Sequence, residues 1–214
     1  MERDIKKLPV IKVDHDADFH VDAVNQILID TQNHSNIIDA RRMNHCEDSL
    51  EAVFDRYTRN LALGYPEKFK TSPERYLQIY MHRLEIYDRE GAKLLWEYEG
   101  EPFMRSITVE VAIEGIKYMY DQDYRLFREK DNPYNVLNRP NMWFNRNGEY
   151  GCYFDRQLGC AAMVQEGRQF QREGTFPPHF TFLKMSEITQ KVRNALNNAY
   201  YKMKATNSKG RRMH

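Results

Sequence analysis

Apolar positions recur at every second residue in some stretches of this chain and at every third or fourth in others, and together the two rhythms predict an α+β protein. Ile107, Val109, Val111 and Ile113 alternate with polar or small residues. Glu114-Gly115 then supplies a turn, and Ile116, Tyr118 and Tyr120 resume the alternation. Only a strand sends every second side chain to one face, and glycine accepts the positive φ of a tight turn, so the pattern predicts a hairpin. Ile11 and Val13, a turn over Asp14 to Asp16, and Phe19 and Val21 predict another.

Helical spacing appears elsewhere. Thr71 with Glu74 fits a capping box and Pro73 suits a first turn. Leu77, Tyr80, Met81 and Leu84 follow at helical intervals, which predicts a helix from about 73 to 90. Ser186 precedes Ile188, Val192, Ala195, Leu196, Ala199, Tyr200 and Met203, one face of a helix from about 187 to 203. Residues 48–62 give two answers. Leu50, Val53, Phe54, Tyr57 and Leu61 have helical spacing, whereas the counterparts Tyr150, Cys152 and Phe154 alternate as a strand.

Those counterparts come from an internal repeat, which once recognised governs the whole architecture. At a shift of 99, Asp22 falls on Asp121, Asn33 on Asn132, Asn36 on Asn135 and Met43 on Met142. Apolar character persists at Phe19/Tyr118, Ile27/Leu126, Leu28/Phe127 and Ile38/Leu137. At a shift of 100, Phe54-Asp55-Arg56 recurs as Phe154-Asp155-Arg156. The repeat predicts two related β-meander units, each with an amphipathic helix: residues 1–104 with the helix at 73–90, and residues 105–204 with the helix at 187–203, followed by a basic tail at 205–214. It also favours a hairpin over 48–62. Asn132-Pro133-Tyr134-Asn135 is a turn by its Asx and proline chemistry, and Asn33-His34-Ser35-Asn36 holds the same place in the first copy.

The second copy reads Asp121, then Leu126-Phe127-Arg128-Glu129-Lys130-Asp131-Asn132-Pro133-Tyr134-Asn135-Val136, then Met142 and Phe154-Asp155. This succession is similar to small accessory domains of the large polyvalent proteins of phages and conjugative elements. The first copy departs from the motif, with Ile29 in place of the arginine and His34 in place of the proline. The resemblance implies a mobile-element origin and a part in host takeover or counter-defence, with no catalytic residues to carry over.

Composition narrows the function classes. With 41% apolar residues, 14 Tyr and 11 Phe, the chain has material for packed cores. No stretch reaches the length of uncharged apolar sequence that spans a bilayer, and residues 1–7 lead into a charged segment without an apolar export signal. Three cysteines, Cys46, Cys152 and Cys160, suit a reducing compartment better than a disulfide framework. The expectation is a soluble protein of the cytoplasm, that of a host cell if phage-encoded. Charge is uneven: Lys191, Arg193, Lys202, Lys204, Lys209, Arg211 and Arg212 follow Thr189 without an acid, leaving 25 basic against 31 acidic residues before them.

Candidate chemistry is sparse. Asp16, Asp18 and His20 would share a strand face and are metal-ligating types, but their repeat counterparts Gly115, Lys117 and Met119 are not ligands, so a solvated hairpin tip is expected there. His45-Cys46 are adjacent and point apart in regular structure. Cys152 and Cys160 are expected reduced and packed across a hairpin. Phosphate-binding glycine loops, a nucleophile elbow and a His-Glu-x-x-His helix are all missing from the sequence. No cofactor is implied and no enzyme is expected.

Two binding modes remain. Tyr and Trp bury much area with few rotamers, and their surplus points to a protein partner, with Tyr134, Trp143 and Tyr153 as the expected anchors. The expected function is therefore non-catalytic occupation of a surface on a host protein. The alternative is a nucleic-acid-binding accessory protein, in which the seven late cations neutralise phosphates while the acidic body is repelled. A second alternative is a structural component of a virion or other assembly. The oligomeric state is not legible.

Overall fold

The computed structural model describes residues 2–46, 49–62, 72–99, 108–121, 125–138 and 141–210, apart from the side chains of 98, 99, 108 and 200–210. The chain divides into two compact units, Met1–Gly100 and Glu101–His214. Both are α+β, built from antiparallel sheets.

In unit 1, β1 (Val10–Asp14), β2 (Ala17–Asp22), β3 (Ile27–Asp30) and β4 (Ile37–Asp39) form a meander in that order. A second sheet has β6 (Ser49–Asp55) at its centre, with β5 (Asn44–Cys46) and β7 (Asn60–Leu61) on one side and β8 (Tyr76–His82) on the other. Helices α1 (Leu84–Tyr87) and α2 (Arg89–Glu99) follow. Phe19, Val21, Leu28 and Ile38 of the first sheet meet Leu50, Phe54, Ile79 and Met81 of the second in one core, with the Phe19 and Phe54 rings edge to face at 6.1 Å.

Unit 2 repeats the plan strand for strand. β9 (Thr108–Ile113), β10 (Ile116–Asp121), β11 (Leu126–Glu129) and β12 (Val136–Leu137) form its meander. In its second sheet, β14 (Tyr150–Asp155) lies between β13 (Trp143–Phe144) with β15 (Cys160–Ala161) and, on the other side, β16 (Phe180–Lys184). Helix α3 (Val164–Glu173) enters between β15 and β16, and α4 (Met185–Gly210) follows β16. Val109, Val111, Tyr118 and Phe127 pack with Phe154, Ile188 and Val192 in the main core, while Tyr153, Ala162, Phe170 and Phe180 form a second cluster.

Main-chain bonds repeat as well. Thr31 N–H donates to the Asp18 carbonyl as Lys130 does to Lys117, and Asn36 to Asn33 as Asn135 to Asn132. Ala62 donates to Val53 as Ala162 to Tyr153, and Arg56 to Arg75 as Arg156 to His179. Left-handed residues recur in register, Gln26 with Arg125 and Arg59 with Gly159. In the predicted Glu114-Gly115 turn both residues have positive φ, 48° and 81°, the conformation that matches a two-residue turn to strand twist.

Residues 48–62 thus resolve as the β6–β7 hairpin, as the repeat requires. Of the helix expected over 73–90 only the end is helical, as α1 and the start of α2. Ser72 to Arg75 make a turn, with the N–H groups of Arg75 and Tyr76 both donating to the Ser72 carbonyl, and Tyr76–His82 is β8, paired along its whole length with β6. Ile79 and Met81 point into the core while Gln78 and Tyr80 are exposed. The ladder satisfies the same apolar set at period two that the sequence also offers at helical spacing. The late helix is longer than expected, so residues 205–210 continue α4 rather than forming a separate tail, and 211–214 lie outside the described residues. Among the described residues no helix is long and apolar enough to cross a membrane.

Candidate functional site

Among the described residues two concavities stand out, one in each unit. That of unit 1, about 310 Å³, is lined by Asp14, His15, Asp16, Ala17, Phe54, Arg56 and Arg59. Its charges already serve one another. Arg56 pairs with Asp14 at 2.6 Å, and Arg59 pairs with Asp30 at 2.6 Å while also donating to the Asp16 carbonyl. Arg59 and the Gln32 N–H hold the Asp30 carboxyl down at a pKa of about 2, against the cost of its burial. Both guanidiniums are thereby neutralised within the fold, which leaves no surplus charge for an anion.

Of the three residues weighed as metal ligands, Asp16 alone lines this cleft. Asp16 sits in the exposed β1–β2 turn, 2.6 Å from the ring of His15. Asp18 and His20 share the face of β2 opposite the buried Ala17, Phe19 and Val21, and the His20 ring meets His34 at 5.9 Å. Among the described residues no three His, Cys, Asp or Glu side chains converge closely enough to hold a metal ion.

The concavity of unit 2 differs in kind. It is a groove of about 440 Å³ between α3, the loop after it and the start of β16. Helix α3 begins where the Met163 N–H donates to Glu166 Oε2 at 2.9 Å. It ends at Gly174, whose φ of 73° closes the last turn through a 2.7 Å bond to the Phe170 carbonyl. Gly167 is required for another reason: a Cβ there would lie 2.5 Å from Trp143 Nε1, so the glycine lets the helix lie on the indole. Gln171 Nε2 fastens the helix to the Phe144 carbonyl at 2.8 Å.

Past Gly174 the chain is exposed through Pro178, until the Phe180 N–H returns to the Pro177 carbonyl at 2.9 Å. Phe170, Phe176 and Phe180 make the apolar floor, with the Phe170 ring 4.9 Å from Phe180 and 6.1 Å from Phe176. Glu166, Gln169 and Glu173 make an acidic rim. Rings in mutual contact leave no gap for a cation between them, so the floor suits an apolar side chain laid across it and the rim suits a positive group beside it.

His179 also borders the groove, and its Nε2 lies 3.9 Å from Asp155 Oδ2, beyond hydrogen-bond range. Asp155 Oδ1 accepts from the N–H groups of Gln157 and Leu158 at 2.7 and 3.0 Å, so this carboxylate caps a turn. Its counterpart Asp55 caps the Tyr57 N–H and takes Arg75 Nη2 at 2.7 Å.

Of the expected anchors, the structure brings Trp143 and Tyr153 into the cluster beneath the groove. Tyr153 is only 3% exposed, packed edge to face against Phe170, Phe176 and Phe182, so it supports the floor and is not itself presented to a partner. Trp143 is half-buried under α3. Tyr134 is half-buried in the β11–β12 turn of the other sheet and does not join them. Among the late cations, Lys191 and Arg193 are exposed, with Lys191 Nζ on the Ala112 carbonyl at 3.1 Å. Lys202, Lys204 and Lys209 lie on α4 with side chains outside the described set, and Arg211 and Arg212 lie outside the described residues. Cys152 and Cys160 are buried and form no disulfide, and burial pushes the Cys152 thiol up to about 12.

The groove residues escaped the sequence reading, although Gly174 followed by Pro177-Pro178 is a helix-stop signal and Phe176 to Phe180 a dense aromatic run. Comparison of this chain with protein-family models, with curated proteins and with solved structures finds no match.

Proposed function

We propose that this chain is a non-catalytic binding protein, of phage or mobile-element origin, which seats a segment of a host protein in the groove between α3 and β16 and acts by occupying that surface. The observation that carries this reading is the groove itself: an aromatic floor held rigid from below by Tyr153 and rimmed by carboxylates. Large apolar surfaces with a few polar groups at the edge are how proteins take up ligands and partner segments. The His179–Asp155 spacing and the turn-capping role of Asp155 favour binding over catalysis, because an acid that orients a general base must reach it by a hydrogen bond. The resemblance of the Asn132–Asn135 turn motif supports the origin.

The test is affinity capture from lysate treated with nuclease, comparing the native chain with Phe176→Ala and Glu173→Lys. Phe176 is 39% exposed and Glu173 is exposed, so both changes act at the surface of the groove and leave the buried Tyr153, Phe170 and Phe180 in the sequence. A protein partner retained by the native chain and lost by both variants is expected. Equal capture by all three overturns the assignment of the groove.

A further inference from the structure

The geometry points to the way a partner segment is held: as an extra strand on the outer edge of β16, which places an apolar side chain on the Phe170–Phe176–Phe180 floor and a Lys or Arg against Glu166 and Glu173. This rests on the groove being the binding site, as proposed above.

Opposed residues of an antiparallel pair alternate between those that exchange main-chain bonds with each other and those that do not. The register sets Asp155 opposite Phe180, Tyr153 opposite Phe182 and Gly151 opposite Lys184. The Arg156 N–H donates to the opposed His179 carbonyl at 2.9 Å, so the bonded positions on β16 are His179, Thr181 and Leu183. Two further observations agree. A Cβ on Gly151 would lie 2.0 Å from the Leu183 carbonyl oxygen, which therefore points toward β14. The Tyr153 carbonyl accepts from Ala162 at 2.7 Å, on the β15 side, away from β16.

The main-chain groups of Phe180, Phe182 and Lys184 accordingly point away from β14. Among the described residues β16 pairs only with β14, and while the Phe180 N–H is taken by the Pro177 carbonyl, the N–H and C=O of Phe182 take part in no main-chain bond. This is an open edge, the template on which an extended chain adds a strand.

The edge runs into the groove. Phe180 belongs both to β16 and to the floor, and the Phe182 side chain packs on Tyr153 at 5.0 Å on the same face. A strand laid along Phe182 therefore sends alternate side chains toward α3, where the floor takes an apolar group. Glu166 Oε2 accepts from the Met163 N–H and Glu173 Oε1 from Gln169 Nε2. The rim keeps a negative field, and the occupant of complementary charge is a basic one. An acidic segment would bring like charge against this rim.

The experiment uses the full chain as bait for a displayed library of random linear peptides, followed by synthesis of the enriched peptide. Main-chain N-methylation is then scanned along it, and the exchange rate of the Phe182 amide is followed by NMR. Strand addition predicts enriched peptides with an apolar residue and a Lys or Arg. It predicts a loss of affinity of at least about tenfold on N-methylation at alternate residues only, the size of one main-chain hydrogen bond left unmade. It also predicts a Phe182 amide that exchanges at least about tenfold more slowly when peptide is bound. A peptide whose binding depends on Phe176 and Glu173 but shows neither the alternation nor the protection overturns strand addition and leaves the groove assignment standing. Binding indifferent to Phe176→Ala and Glu173→Lys, or no enrichment at all, counts against the groove and with it against both.

Discussion

Arg3 ties the start of the chain to the core of unit 1, and its removal gives the sharpest stability prediction. Its guanidinium reaches Asp22 Oδ1 at 3.2 Å and holds both oxygens of Asp88, one of them at 3.1 Å. The two acid side chains are 4% and 1% exposed, and the arginine itself is 10% exposed. Asp88 also accepts from the Ala23 and Gly91 N–H groups at 2.9 Å, so it is fixed in place and cannot swing out to water when its cation is lost. Taking one partner from a buried ion pair costs about 3–5 kcal/mol, because the remaining charge stays desolvated. Arg3→Met, which keeps an apolar stem and removes the charge, is therefore expected to destabilise unit 1 by about that amount. With a urea dependence of about 1.5 kcal/mol per molar for a unit of this size, the midpoint falls by about 2–3 M. Each unit contains one tryptophan, Trp96 in unit 1 and Trp143 in unit 2. Fluorescence in a Trp143→Phe background thus reports unit 1 alone. Adding Asp88→Asn to Arg3→Met should recover part of the loss, since it removes the stranded charge and keeps the shape. A midpoint change worth less than about 1 kcal/mol, or strict additivity of the two changes, would refute the reasoning, since residues in one charge network do not add independently.

Acid should weaken unit 1 through its arginine-held carboxylates. The folded pKa of Asp30 is lowered to about 2, so its stabilisation is present above the unfolded value of about 3.9 and is lost as pH falls through the folded one. Urea midpoints between about pH 4 and 2 should fall more steeply for the native chain than for Arg59→Met, and parallel curves would refute this. Asn135→Ala removes an amide that bonds Glu129 at 2.7 Å, the Gly159 carbonyl at 2.6 Å and the Tyr118 hydroxyl at 3.2 Å, all buried. A loss of about 2–3 kcal/mol in unit 2, read through Trp143, is expected, against about 1 kcal/mol for Asn36→Ala in unit 1, where the site is only half-buried. Thiol labelling of the native chain should modify Cys46 and spare Cys152, whose thiolate is disfavoured by burial; equal rates would count against the packing.

What the sequence reveals and what it hides follow from how many core contacts each element makes. The meanders were legible because Phe19, Val21 and Leu28, like Tyr118 and Phe127, fill one face of a strand at period two and recur about a hundred residues on. Helix α4 was legible because Ile188 and Val192 continue into Ala195, Leu196 and Ala199 along one stripe. In β8, Leu77, Tyr80 and Met81 lie at helical intervals, and only the ladder to β6 decides in favour of the strand. Helix α3 was hidden for the opposite reason. Gly167 and Phe170 are its only buried residues, so it presents no apolar stripe. The groove depends on that helix, and it went unseen with it. Tyr153 was identified as an aromatic of consequence, but a single sequence does not separate the floor of a site from its mouth.

The two units show how one frame is filled twice. At the turn between the last strands of the hairpin, the left-handed residue is Arg59 in one copy and Gly159 in the other, and in both its carbonyl receives the side-chain amide of the repeated asparagine, from Asn36 at 2.8 Å and from Asn135 at 2.6 Å. Arg59 sends its guanidinium back over Asp30. Gly159 has nothing to send, and in its place stand a longer acid, Glu129, and a hydroxyl, that of Tyr118, which donates to the Gly159 carbonyl at 3.1 Å where Phe19 has only a ring. Main-chain geometry held by asparagine is common to an ion pair in one copy and a buried polar network in the other. In unit 2 the connection from β15 to β16 carries α3 at the sheet edge, where it disturbs no ladder. Binding is therefore sought at that helix, because the side chains around it form the apolar groove, whereas the asparagine-held turns are accounted for by folding.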